Sequence, residues 1–268
     1  SYPDVSLSKP PQNTICEGEI LSISIPTGAE TYQWYKDGVE IPETNFNIEI
    51  TESGTYQIEA ANGNCISTSE EITVEVIPLP DVMLSIPLVN TICENESITV
   101  SIPTGADTYL WHLNGLPTSE TTNEITISEP GIYHVEATNQ GCLSTSEEVT
   151  VEQVLLPNVS LSVPLINTIC EGETLTIEIP NGADSYQWFK DDLSLNETSN
   201  SITVSENGNY HVVAKNDNCE AISETVSLEI ILPPPVELSV PLQNSICEDE
   251  SLIISIPSGA TEYQWFKD

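Results

Sequence analysis

Seven cysteines hold most of the reactive chemistry in this 268-residue chain, and their spacing is regular. Cys16, Cys65, Cys93, Cys142, Cys170, Cys219 and Cys247 lie alternately 49 and 28 residues apart, a period of 77. Thiols at such intervals can form disulfides or hold zinc. Zinc sites commonly draw on C-x-x-C pairs, of which there are none, and His112, His134 and His211 lie away from the cysteines in sequence. Disulfides, and with them an oxidising extracellular setting, are therefore expected.

The other reactive side chains form no catalytic constellation. The three histidines read as scattered, and the position shared by His134 and His211 holds Gln57 one period earlier. A position that accepts glutamine does not require imidazole chemistry. Carboxylate pairs such as Glu70-Glu71 and Glu147-Glu148 read as solvated charge beside an edge strand, where charge discourages pairing with foreign strands. An acid–base pair would need a cleft and one raised pKa. The chain is read as a non-enzyme, with no catalytic, cofactor or metal site assigned. Calcium is the cation weighed, because hard ions take carboxylate oxygens. Asp81, Asp107 and the run Glu248-Asp249-Glu250 are the candidates, but no D-x-D-x-D-G spacing supports them.

The elements that carry these residues repeat with the cysteines. Trp34, Trp111, Trp188 and Trp265 keep the 77-residue period, inside near copies such as TYQWYKDG and SYQWFKDD. Such self-similarity marks a tandem array. Prolines punctuate it at Pro3, at Pro78 and Pro80, at Pro157, and at Pro233 to Pro235. Proline without a Gly-Ser tract gives short, stiff joints. The expected domains are 1–77, 78–154, 155–231 and a partial fourth over 232–268 holding first strands only. That last unit stops three residues after Trp265, so a fragment of a longer protein is expected.

Within the first unit, strands are expected near 4–8, 20–25, 31–36, 46–50, 55–61 and 67–77. Leu21, Ile23 and Ile25 alternate with polar neighbours, as do Tyr56, Ile58 and Ala60. Period two with one apolar face gives strands that cover a core on one side. No 3.6-residue period is sustained, so the fold class is all-β.

EGEILSISI, then YQWYKDG, then ESGTYQIEAAN resembles an immunoglobulin I-set domain across every full unit. The resemblance implies tandem Greek-key β-sandwiches in a linear array. It also implies a core tryptophan on strand C (Trp34, Trp111, Trp188) and a tyrosine corner on strand F (Tyr56, Tyr133, Tyr210). The family's B and F cysteines fall on Ile25 and Ile58, so Trp34 is expected to pack on an aliphatic pair. A cysteine before strand B and another after strand F is similar to immunoglobulin-like and PKD-like repeats of Bacteroidota-type surface adhesins. That likeness implies cell-surface display and adhesion.

On the immunoglobulin alignment, Cys16 falls toward the bottom of its domain and Cys65 just past the F–G hairpin, at the top. The two would stand about 30 Å apart at about 3.3 Å per strand residue, whereas a disulfide needs Cα atoms within about 7 Å. The bottom of one domain faces the top of the next. The preferred pairing is therefore between domains, Cys16 with Cys142 and Cys93 with Cys219, leaving Cys65, Cys170 and Cys247 to partners outside the chain. Pairing within a unit, Cys16 with Cys65, stays open as the alternative.

A formal net charge of −37, from 42 acidic residues against five basic ones, excludes nucleic acid as a partner. It reads as a self-repelling, solubilising surface. No apolar run is long enough for a membrane helix, so no direct membrane insertion is expected. Two functional readings follow: a stalk or filament shaft of an extracellular adhesin or fibre, or adhesive modules that contact glycans or partner cells. Partners are accordingly neighbouring repeats or further copies, with surface glycans or other cells as the alternative. Tyr35, Phe189 and Phe266 are the candidate sugar-stacking aromatics, with packing along strand C as their other explanation. The largely polar loops after strand C lack the Trp, Tyr and Arg anchors that binding hot spots favour, which favours the shaft.

Overall fold

The computed structural model describes residues 1–267. It is all-β, with no helix among the described residues. In the first repeat the strands are β1 (Gln12–Cys16), β2 (Leu21–Ser24), β3 (Thr31–Lys36), β4 (Val39–Glu40), β5 (Asn47–Ile50), β6 (Gly54–Asn62), β7 (Cys65–Thr68) and β8 (Ile72–Ile77). The second repeat contains β9 (Val89–Cys93), β10 (Ile98–Ser101), β11 (Thr108–Leu113), β12 (Leu116–Pro117), β13 (Glu124–Ile127), β14 (Gly131–Asn139), β15 (Cys142–Thr145) and β16 (Val149–Val154). The third contains β17 (Ile166–Cys170), β18 (Leu175–Glu178), β19 (Ser185–Lys190), β20 (Leu193–Ser194), β21 (Ser201–Val204), β22 (Gly208–Asn216), β23 (Cys219–Ile222) and β24 (Val226–Ile231). The chain divides into two compact units, 1–153 with the first two repeats and 154–268 with the third.

Each repeat is an immunoglobulin-like sandwich. One sheet runs β1-β8-β6-β3-β4, with β7 paired to the far half of β6, and the other is the β2-β5 pair. The second and third repeats have the same order. Alternation explains which face closes inward: Tyr56, Ile58 and Ala60 of β6 are buried while Gln57 and Glu59 face outward. Opposite them, Trp34 pairs with Ile58 across β3 and β6. Trp34, Trp111 and Trp188 are wholly buried, and Ile25 and Ile58 lie in the first core with Tyr56.

Buried polar groups in this core are satisfied, as burial demands. Each tryptophan ring N–H donates to a loop carbonyl: Trp34 to Asn45, Trp111 to Thr122 and Trp188 to Ser199, at 2.9–3.0 Å. Each corner tyrosine hydroxyl donates to the carbonyl four residues upstream: Tyr56 to Glu52, Tyr133 to Glu129 and Tyr210 to Glu206.

Four details depart from the sequence expectation. Residues 4–8 form no strand. Val5 and Leu7 pack on the core, but ladder contact with β2 is limited to Ser8 N–H on the Ser24 carbonyl and the Ser8 hydroxyl on Ser24 N–H. The strand lies later, at β1, paired in parallel with β8 from Gln12↔Thr73 to Cys16↔Ile77. Its burial alternates, but QNTIC sets a single apolar side chain, Ile15, fully inward, so apolar periodicity gave no signal there.

The segment 67–77 is two strands, broken at Ser69. The Ser69 hydroxyl accepts the Ile58 N–H and donates to the Glu70 carbonyl, standing in for a ladder rung. Ser146 and Ser223 do the same in their repeats.

The partial fourth unit carries no strand among residues 232–267. Local turns persist, such as the Tyr263 hydroxyl accepting from Gly259 and Ala260. Trp265, however, is 57% exposed. The counterparts of β5 and β6, which pair with and cover β2 and β3 in a full repeat, do not occur within residues 232–268.

Candidate functional site

The most distinctive chemistry lies at the joint between the first two repeats. Cys16 ends β1 beside the last residue of β8, in register with Ile77. The next backbone amide, Glu17 N–H, donates to the Ile77 carbonyl at 2.8 Å. The Glu17 carboxylate accepts the Leu79 N–H at 3.3 Å, beyond Pro78. The cysteine is thus fixed where the chain leaves its domain.

Cys142 is placed just as firmly at the opposite end of the second repeat. It opens β15, paired with Asn139 across a two-residue turn. Gln140 and Gly141 hold positive φ values of 45° and 90°, the tight hairpin geometry that favours glycine. The Asp107 carboxylate clamps the turn by accepting the Gln140 N–H at 2.7 Å. Glu30 and Asp184 make the equivalent contacts to Gly63 and Asp217. Asp107, a calcium candidate from sequence, therefore already has a role as a turn cap. Asp81 similarly accepts the Met83 N–H.

The structure joins Cys16 to Cys142 in a disulfide, with Cα atoms 5.4 Å apart. Cys142 is buried and Cys16 partly so. The bond connects successive domains and closes neither one on itself. Cys93 and Cys219 are likewise disulfide-bonded residues. Cys65, Cys170 and Cys247 are free thiols, the latter two exposed. Cys65 opens β7 opposite Asn62 just as Cys142 opens β15, and Cys170 ends β17 opposite Ile231 just as Cys16 ends β1. The two kinds of half-joint therefore recur with the repeat.

The candidate sugar-binding aromatics divide. Tyr35 and Phe189 are half-buried and occupied by neighbours: the Tyr35 hydroxyl donates to Glu59 at 3.1 Å, and Phe189 stacks on His211 at 4.9 Å. Phe266 lies in the strandless segment and is largely exposed.

The histidines correct the sequence reading. His112 and His134 are not scattered but directly opposite across β11 and β14. The signal was available: once Trp111 faces Val135, antiparallel pairing sets the next residue, His112, against His134.

No helix among the described residues is long and apolar enough to cross a membrane, and no protein-family model matches the sequence. Similar solved structures are tandem domain arrays. Immunoglobulin domains 1–5 of Sidekick-1 match at 14% identity and TM-score 0.35, over 85% of this chain and 59% of that one. A tandem from titin matches at 14% identity and TM-score 0.32, over 85% and 99%. The N-terminal eight immunoglobulin domains of Down Syndrome Cell Adhesion Molecule match at 16% identity and TM-score 0.27, over 94% and 44%. The chain thus spans less than two thirds of the Sidekick-1 fragment. Its immunoglobulin-like assignment stands on the strand order and the tyrosine corner.

Proposed function

We propose that the chain is a structural repeat region, a stalk or filament shaft of a secreted or surface-displayed adhesin or fibre. One observation carries this reading: the Cys16–Cys142 disulfide couples two successive domains. A binding module needs a presented surface, whereas a covalent tie at a proline joint fixes spacing and restricts hinge motion. The domain limits 1–77, 78–154 and 155–231, with 232–268 as the start of a fourth, follow from the cysteine and proline periods. On this reading Cys93 pairs with Cys219 at the second joint, and Cys65, Cys170 and Cys247 serve further joints of the same kind. Disulfides fit an oxidising compartment, and the acidic surface keeps neighbouring shafts apart. The resemblance to bacterial surface repeats supports an outer-surface location.

The test is a non-reducing peptide map combined with a glycan array. Peptides joined through Cys16–Cys142 and Cys93–Cys219, with no glycan bound by the oxidised protein, support a shaft. A Cys16–Cys65 peptide, or selective binding of a glycan class by the isolated repeats, would transfer the function to the domains themselves.

A further inference from the structure

The outward face of β11 and β14 holds three donor side chains in one place. His112 and His134 are cross-strand partners, and Glu136 follows His134 by two residues, so the strand's alternation returns it to the same face. One ligand atom from each lies within 4.8 Å of the others, and all three side chains are half-buried. The two imidazoles are stacked, with centroids 4.6 Å apart and planes 10° from parallel. Among the described residues, His112 Nδ1 is the one buried side-chain nitrogen or oxygen without a hydrogen-bond partner.

The other repeats show what this position does when it only packs. The first holds Tyr35, Gln57 and Glu59, with the tyrosine hydroxyl bonded to the glutamate. The third holds Phe189, His211 and Val213, an aromatic stack with an aliphatic neighbour. Only the second has a metal donor at all three positions. Stacking explains two rings together. It explains neither the unpartnered Nδ1 nor the carboxylate beside it.

We propose that His112, His134 and Glu136 form a binding site for a first-row divalent transition cation, with Zn²⁺ as the occupant tested. Two imidazoles select zinc, copper or nickel over calcium and magnesium, whose preferred ligands are all oxygens. Two histidines and a glutamate supply three of the four zinc ligands, leaving the fourth position to solvent or to a donor from another molecule. Zinc–ligand bonds of about 2.1 Å put tetrahedral ligand atoms about 3.4 Å apart. The ligand atoms therefore need to close by no more than about 1.4 Å on binding, and the imidazoles turn out of their stack to aim lone pairs at one ion. Side-chain torsions suffice for this, and the strands stay in place.

Titration calorimetry of the 268-residue oxidised protein with ZnCl₂ tests the site, with Co²⁺ absorption reporting coordination. Sister repeats supply variants that the fold accepts: His134→Gln, the residue at 57, and His112→Phe, the residue at 189. The wild type should bind one Zn²⁺ above the weak background of surface carboxylates, with a Co²⁺ d–d band. Each single variant should weaken that event by about 100-fold, and the double variant should abolish it, while metal-free melting temperatures stay within a few degrees of wild type. Ca²⁺ should not separate wild type from variants. Equal Zn²⁺ affinity and stoichiometry for wild type and double variant would overturn the proposal, because binding would then belong to the acidic surface or the free thiols. So would a Co²⁺ spectrum that persists in the double variant.

Discussion

Replacing both Cys16 and Cys142 by serine removes the tie between the first two domains, and its effect can be worked from the topology. When the first domain unfolds while the second stays folded, the disulfide pins Cys16 to a fixed point near the far side of the joint. The unfolded segment is then a closed loop of roughly 65 residues, a constraint worth about 4 kcal/mol in the chain-entropy model. For a domain of this size each kcal/mol moves the melting temperature by about 4–8 °C, so the shift is on the order of 20 °C. Differential scanning calorimetry of the whole chain reads it directly. The oxidised protein should show the first two domains melting together, and the double-serine variant should show them separating and falling. Cys142→Ser alone should reproduce the loss, and Cys65→Ser should not. The reasoning fails if the melting temperature stays within a few degrees of wild type, or if Cys65→Ser produces the loss and Cys142→Ser does not.

Ser69→Ala leaves the buried Ile58 N–H without its hydroxyl acceptor and should cost about 1–3 kcal/mol in urea denaturation. Ser146→Ala and Ser223→Ala should match it, and a neutral result would show that the strand break does not depend on the hydroxyl. Burial raises the pKa of Tyr56, Tyr133 and Tyr210 above the ordinary 10.0. A raised folded pKa means stability that is full below the unfolded value and lost as pH climbs through the folded one, so melting temperature should fall above pH 10. Tyr133 is the cleanest probe, because Lys36 and Lys190 partly offset the rise at Tyr56 and Tyr210; Tyr133→Phe should flatten the alkaline loss, and an unchanged slope would contradict the assignment. Net charge of −37 predicts that NaCl stabilises by screening self-repulsion. Melting temperature should rise between low salt and 0.5 M, and a fall would show that ion pairs such as Lys36–Glu52 outweigh the repulsion.

The parts of the fold that alternate were legible in the sequence, and the parts that do not were hidden. β5 and β6 bury every second side chain, β2 and β3 turn Ile23 and Trp34 fully inward, and the apolar residues of these strands announce it. β1 buries a single isoleucine and takes its stability from a parallel ladder with β8, a long-range partner that no local pattern reveals. The Ser69 break was invisible because apolar alternation resumes at Ile72 as though nothing had intervened. Of the chemistry, the cysteine joint followed from strand heights on the immunoglobulin alignment. The His112–His134 contact was hidden because it exists only in the register of the β11–β14 ladder, which neither spacing along the chain nor likeness between repeats displays.

The joint also decides where tension travels. A pull arriving at residue 1 reaches Cys16 and crosses the disulfide to Cys142, so the shortest covalent route omits residues 17–141. Most of both hydrophobic cores therefore hangs beside the line of force, which passes through Ile15 of the first and Val149 and Val151 of the second. Those roughly 125 residues, at about 3.6 Å each when extended, store about 450 Å of contour length. Thermal or chemical unfolding of either core cannot release it while the bond holds. Only a reductant can, which makes the extensibility of such a shaft a property of the redox state of its surroundings.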